Sequence, residues 1–391
     1  MSDGVIIVGA GHAAGQAVAS LRSEGYEGPI TVIGDEPYVP YQRPPLSKKF
    51  LAGEIDIDRV YFKPPDFYDK SQAEMLLGRK VVEVERPKKL VHLDDGSTRG
   101  YDKLILATGS RVRELNIPGF DLDGVFYLRT IEDVEAIQGK FYEGGKMVVV
   151  GGGYIGLEVA AVAAQRGIDV TVLEMAPRVL ARVVDPILSK FYTKAHREAG
   201  VKIETGVTVS GFEGSDGKIE RIDCGDGKTF DADFAIVGVG IIPNVELADE
   251  AGLKVENGIV VDELCRTEDP DIYAIGDCTN HPNPILGTRL RLESVHNALE
   301  QGKTAAASIC GKEKPYAQVP WFWSDQYDLK LQIVGLSAGY DEVVVRGDPE
   351  NERSFAVFYL KDGVMIASDA VNRAPEHMMS RRLIAAKAKI P

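Results

Sequence analysis

Two glycine clusters carry the first chemical signal. Gly9, Gly11 and Ala14 fall in the order G-x-G-x-x-A directly after the apolar run 5–8, and Ala13 lies inside the same turn. A diphosphate needs a turn without side chains, so that backbone amides can approach it, followed by a helix whose free N–H groups face the anion. Gly151, Gly153 and Gly156 repeat the pattern after the apolar run 147–150, with Tyr154 and Ile155 between the last two glycines. Each cluster is followed by a second apolar run that ends in an acid, Asp35 in the first case and Glu174 in the second. A carboxylate there is placed to accept hydrogen bonds from a ribose.

The acid at Glu174 also discriminates. It suits the free ribose hydroxyls of NADH and repels the 2′-phosphate of NADPH. A like-charge pair at about 4 Å and an effective dielectric near 20 costs roughly 4 kcal/mol, less when exposed. A third of that already gives about tenfold preference. NADH is therefore the expected donor, although Arg178 nearby could soften the preference. Two dinucleotide sites in one chain suggest one resident group and one exchanging substrate.

These residues require a strand, a turn, a helix and a second parallel strand, twice over. The repeat extends further, because 94–109 and 224–240 align with Gly96 and Gly227, and Gly109 and Gly240, sharing an offset of 131. The Asp-Gly pairs at 95–96 and 226–227 predict hairpins just before the last strand of each module. Residues 316–391 read differently, as alternating strands at 331–334, 343–345, 355–360 and 364–370 followed by a helical stretch. The expected fold is α/β, with two Rossmann-like domains and a small α+β C-terminal domain. The expected boundaries are 1–112 with 243–315, 113–242, and 316–391.

Composition narrows the classes. With 391 residues and 44% hydrophobic residues the chain can bury substantial cores. With 45 Lys+Arg against 59 Asp+Glu the net charge is −14, which argues against nucleic acid as partner. The four cysteines, Cys224, Cys265, Cys278 and Cys310, match no redox pair or zinc spacing and read as small buried thiols, so no metal is expected. No signal peptide or membrane span is visible, which makes a cytoplasmic protein the expectation.

Several strings together are specific: P-Y-Q-R-P-P-L-S-K at 40–48, L-R-T-I-E-D at 128–133, G-G-G-Y-I-G-L-E at 151–158, R-L-E-S-V-H-N-A-L-E-Q at 291–301 and P-W-F-W-S-D-Q-Y-D at 320–328. The set resembles the NADH-dependent ferredoxin reductases of the putidaredoxin reductase type, which serve cytochrome P450 and aromatic-ring oxygenase systems. The likeness covers nearly the whole chain, although relatives of this type usually continue beyond a segment like 381–391. It implies FAD as the resident group. Asp277, which closes T-E-D-P-D-I-Y-A-I-G-D at 267–277 with Gly276 before it, would hold the ribityl chain, with Ala107, Thr108 and Gly109 close by. Asp35, Arg43, Lys48, Val81, Arg129 and Val295 would complete the FAD site. Lys48 and Glu158 would meet beside the flavin where nicotinamide enters, and Trp323 would lie between flavin and partner.

The thiol-dependent members of the superfamily carry a reactive cysteine after the second strand, and 38–51 here contains none. The resemblance therefore implies hydride transfer from NADH to flavin N5, followed by two single-electron steps to a [2Fe–2S] ferredoxin. Lys63, Arg289, Arg291, Lys303 and Lys330 are the candidate docking cations for that usually acidic partner. A monomer or weak homodimer is expected. Two alternatives remain open on sequence grounds: an NADH-binding redox sensor like apoptosis-inducing factor, and an NADH oxidase.

Overall fold

The computed structural model describes residues 3–390. The chain divides into two compact units, one built from residues 3–42, 57–111 and 242–322, the other from 43–56, 112–241 and 323–390. The core of the first is a parallel five-stranded sheet in the order Ile272–Ala274, Lys103–Leu106, Val5–Val8, Ile30–Gly34, Ala73–Leu77. Its central strand is buried along its whole length, as a strand covered on both faces must be. The second unit repeats the design, in the order Val125–Tyr127, Phe234–Val237, Lys146–Val150, Asp169–Glu174, Lys202–Thr205. Both Asp-Gly hairpins form, each within a three-stranded antiparallel sheet.

The repeat breaks at the outermost strand. In the first unit Ile272–Ala274 arrives from far downstream, whereas in the second Val125–Tyr127 comes from upstream. The C-terminal sheet is antiparallel and has five strands rather than the four expected, because Trp321–Gln326 pairs at its edge. A helix, Ala374–Ala385, packs on this sheet. Segment 43–56, which carries Arg43 and Lys48, belongs to the second unit although its sequence neighbours on both sides belong to the first. Among the described residues, no helix is long and apolar enough to cross a membrane.

Candidate functional site

In the first unit the helix His12–Glu24 starts at Gly11, which has no side-chain cap, so its first-turn amides are left to something else. Gly9 has φ +105°, and a Cβ there would stand 2.2 Å from the Ala107 carbonyl oxygen, so only glycine lets the strand end turn this close to the A-T-G segment. At Gly11, by contrast, a Cβ would meet nothing within 4 Å, so the turn opens onto free space. Ala13 is buried and Ala14 fully so, and Ala13 faces Gly276, whose Cβ would lie 3.3 Å from it. The glycine turn and the Gly276–Asp277 turn therefore converge.

Ser110 Oγ donates to Asp277 Oδ2 at 2.9 Å. The Gly276 amide donates to the fully buried Gln301 Oε1 at 2.7 Å, and Thr279 Oγ1 donates to the same oxygen at 3.0 Å. Val295 opens the helix Val295–Ile309, whose N-cap Ser294 accepts from the Asn297 amide. Thr108 Oγ1 donates to the Asn244 carbonyl, and Asn244 Nδ2 donates back to the Thr108 carbonyl, which holds the strand end after Ala107. Gly109 follows with φ +63°. Beyond the carboxyl ends of the strands lies a cavity of about 490 Å³, lined by Gly9, the exposed Asp35, the buried Val81, Thr108 and Arg111. An uncapped glycine turn, open space over Gly11 and a cavity reaching Asp35 fit the diphosphate and ribose of FAD. Ser110, Asn244 and Gln301 were not singled out from sequence; Gln301 ends a quoted motif, but its partners Gly276 and Thr279 are remote in the chain.

In the second unit Gly151 has φ +108°, and a Cβ would stand 2.4 Å from the Gly238 carbonyl oxygen, the same close approach as at Gly9. Gly153 is the uncapped N-cap of the helix Tyr154–Gln165, with nothing within 4 Å of its Cβ position. A Cβ on Gly156 would strike the Gly151 carbonyl at 2.1 Å. Ile155 is 42% exposed beside this turn, whereas the Tyr154 hydroxyl is buried. Glu174 Oε2 accepts from the Gly152 amide and Oε1 from the Ala176 amide, both at 2.7 Å. Arg178 donates to the Val184 and Ala181 carbonyls, so its charge is directed at backbone. These features fit NADH.

One helical turn further, Glu158 is 4% exposed. Lys48 Nζ lies 2.6 Å from its Oε2, Ser47 Oγ donates to Oε2 at 2.5 Å, and Ser324 Oγ donates to Oε1 at 2.6 Å. Lys48 follows a short 3₁₀ turn, Pro44–Ser47, whose prolines hold the loop against the helix Tyr154–Gln165. In the same unit Arg43 donates to the Arg129 carbonyl, and the Arg129 amide donates to Asp133 Oδ2 at 2.8 Å. Trp323 is half-buried in the edge strand Trp321–Gln326. Of the candidate docking cations, Arg291 pairs with Glu293, Lys303 with Glu300, and Arg289 donates to the Val261 and Asn280 carbonyls. Lys63 stands over the Phe62 and Phe67 rings. Cys224, Cys265 and Cys278 are buried and Cys310 half-buried, and burial pushes all four thiols above their ordinary range.

A model of pyridine nucleotide-disulphide oxidoreductases matches residues 3–302, and one of reductase C-terminal domains matches 321–391. A ferredoxin–NAD(P)(+) reductase of Sphingomonas is 44% identical over 99% of this chain and 94% of its own. Putidaredoxin reductase of Pseudomonas putida is 45% identical over 98% and 92%. Among solved structures, the covalent putidaredoxin reductase–putidaredoxin complex matches with TM-score 0.96 and 44% identity over 99% of this chain and 94% of that one. The ferredoxin reductase for the CYP199A2 system of Rhodopseudomonas palustris also gives 0.96, at 42% identity over 100% and 96%.

Proposed function

The chain belongs to the pyridine nucleotide-disulphide oxidoreductase family, and we propose that within it the protein is a flavoenzyme that oxidises NADH and reduces a [2Fe–2S] ferredoxin, in the cytoplasm, for a P450 or Rieske oxygenase. The supporting observation is the pairing of two open glycine turns with a 38–51 segment that has no cysteine, while burial pushes all four thiols above their ordinary range. Electrons entering from a nicotinamide then have no dithiol to rest on. Bound FAD supplies the conversion from one two-electron donor to two one-electron acceptors. The balance is NADH plus two oxidised ferredoxins giving NAD⁺, one proton and two reduced ferredoxins.

In this reading residues 1–112 and 243–315 hold FAD, 113–242 hold NADH, and 316–391 form the C-terminal domain. Gly9, Gly11, Ala13 and Ala14 receive the FAD diphosphate, Asp35 its ribose, and Asp277, steadied by Ser110, the ribityl chain. Val81, Ala107, Thr108, Gly109, Gly276 and Val295 surround it, and Arg43, Lys48 and Arg129 keep the roles the resemblance gives them. Gly151, Gly153, Tyr154, Ile155 and Gly156 receive NADH, with Glu174 at the ribose. Lys48 neutralises Glu158, so that the carboxylate does not repel the diphosphate bound at its own helix start. Trp323 lines the exit toward ferredoxin. An absorbance spectrum, NADH titration and reduction of a [2Fe–2S] ferredoxin test the proposal together. Rapid turnover with ferredoxin is expected; a long-lived charge-transfer band with slow turnover would instead indicate a sensor, and fast oxygen uptake without ferredoxin an oxidase.

A further inference from the structure

The second unit contains a hydrogen-bonded line of side chains of which the reading above uses only the first, Glu158. It runs from Glu158 through Ser324, Gln326 and His196 to Tyr327, drawing on the helices Tyr154–Gln165 and Pro186–Glu198 and the strand Trp321–Gln326 with the residue after it. Ser324 Oγ donates to Glu158 Oε1 at 2.6 Å, Gln326 Nε2 donates to Ser324 Oγ at 3.1 Å, His196 Nε2 meets Gln326 Oε1 at 2.8 Å, and Tyr327 Oη meets His196 Nδ1 at 3.0 Å. Ser324 and His196 are fully buried and Gln326 is 1% exposed.

Elementary valence sets the sense of every link. A carboxylate paired with Lys48 only accepts, so Ser324 spends its single hydrogen on Glu158 and must accept from Gln326. That turns the amide nitrogen toward Ser324 and the amide oxygen toward His196. The His196 Nε2 must then carry hydrogen, and burial keeps this ring neutral by pulling its pKa down to about 4, which leaves Nδ1 to accept from the Tyr327 hydroxyl. All donors point one way, ending on Glu158. The amide of Gln326 does not take up or release a proton near neutrality, so the line is no proton wire. A chain of this kind fixes an orientation.

We infer that Ser324, Gln326 and His196 are positioning residues: they hold the Glu158 carboxylate from the side opposite Lys48, and so set how the nicotinamide end of the dinucleotide is received. The inference rests on the reading that nicotinamide enters beside Lys48 and Glu158. Ser324 and Gln326, two apart, share one face of their strand, which explains the spacing S-D-Q in the P-W-F-W-S-D-Q-Y string.

The test compares NAD⁺ with ADP-ribose, which lacks the nicotinamide, by calorimetry on the oxidised, FAD-containing protein. Ser324→Ala should weaken NAD⁺ about fivefold to tenfold and leave ADP-ribose within about twofold. Ser324→Thr, which keeps the hydroxyl, should restore NAD⁺ affinity. His196→Phe, which breaks the line two links away, should act in the same direction by about threefold, and serves if the alanine variant does not fold. Equal weakening of both ligands, or no change in either, would overturn the positioning role. Failure of the unmodified protein to bind either ligand would instead count against the proposed function.

Discussion

The Glu174 carboxylate accepts the Gly152 amide at 2.7 Å, so the acid at the strand end and the glycine turn are one hydrogen-bonded piece. Its other oxygen accepts the Ala176 amide. Glu174 therefore shapes the glycine turn from the end of its strand, while the Arg178 guanidinium donates to the Val184 and Ala181 carbonyls. Glu174→Ala should lower kcat/KM for NADH about tenfold and leave that for NADPH about unchanged, so the NADH:NADPH ratio should fall by about tenfold. Steady-state kinetics with both donors checks this; an unchanged ratio would remove Glu174 from donor selection.

Lys48 and Glu158 form a deeply buried ion pair, with side chains 16% and 4% exposed. Removing one partner leaves a charge in a poorly solvated place, which typically costs about 3–5 kcal/mol. Lys48→Met alone should therefore lower the thermal midpoint clearly, and the double variant with Glu158→Gln should regain much of that loss. Scanning calorimetry of the two single variants and the double variant supplies the cycle; strict additivity would show that the pair is not coupled.

How far the sequence reaches is visible at particular residues. Gly9, Gly11, Gly151 and Gly153 were legible because a glycine turn that opens a helix is local: the demand for no side chain and the helix that answers it lie within six residues. The hairpins at Gly96 and Gly227 were legible for the same reason. Gln301, Ser110 and Asn244 were not, since each acts on a partner remote in the chain: Gln301 on the Gly276 amide, Ser110 on the Asp277 carboxylate and Asn244 on the Thr108 carbonyl. Trp321–Gln326 forms a strand that the sequence expectation of four strands does not include, and it pairs with Leu329–Gly335 across a tight turn at Tyr327 with φ +57°. The membership of 43–56 in the second unit depends on contacts that spacing cannot express.

His281 is 1% exposed, with neither ring nitrogen partnered among the described residues, and it sits edge-on to Tyr316 at 4.7 Å. Burial first, then Arg289, pull its pKa from the ordinary 6.5 down to about 4. Between those values the unfolded chain binds the proton that the folded chain refuses, so the stability it supports is full above pH 6.5 and is lost as pH falls toward 4. His281→Phe keeps the ring contact and removes the titration. Its denaturation midpoint should decline less than that of the unmodified protein between pH 7 and 4.5; parallel declines would rule His281 out as a contributor.

Asp369 works with the opposite sign. It is fully buried, and desolvation pushes it from 3.8 up to about 7 against the pull of the Tyr359 hydroxyl, which donates to it at 2.6 Å. Here the folded chain holds the proton that the unfolded chain has released, so this contribution is present below pH 3.8 and is lost as pH rises to about 7. Asp369→Asn retains an oxygen for Tyr359 and cannot ionise. Its stability relative to the unmodified protein should improve steadily from pH 5 to pH 8, and a flat difference across that range would contradict the burial argument.

Gly9 and Gly11 separate folding from cofactor retention. At Gly9 a methyl group would stand 2.2 Å from the Ala107 carbonyl at φ +105°, so Gly9→Ala forces the sheet centre apart and should yield little folded protein. At Gly11 the backbone is extended and the Cβ position is empty, so Gly11→Ala should fold with native circular dichroism. The same methyl group would occupy the space a diphosphate needs beside the uncapped helix start. Purified Gly11→Ala should therefore carry far less flavin per chain, measured by the ratio of visible to protein absorbance, and should recover it only at high added FAD. Full flavin content in that variant would mean the diphosphate does not sit over this turn.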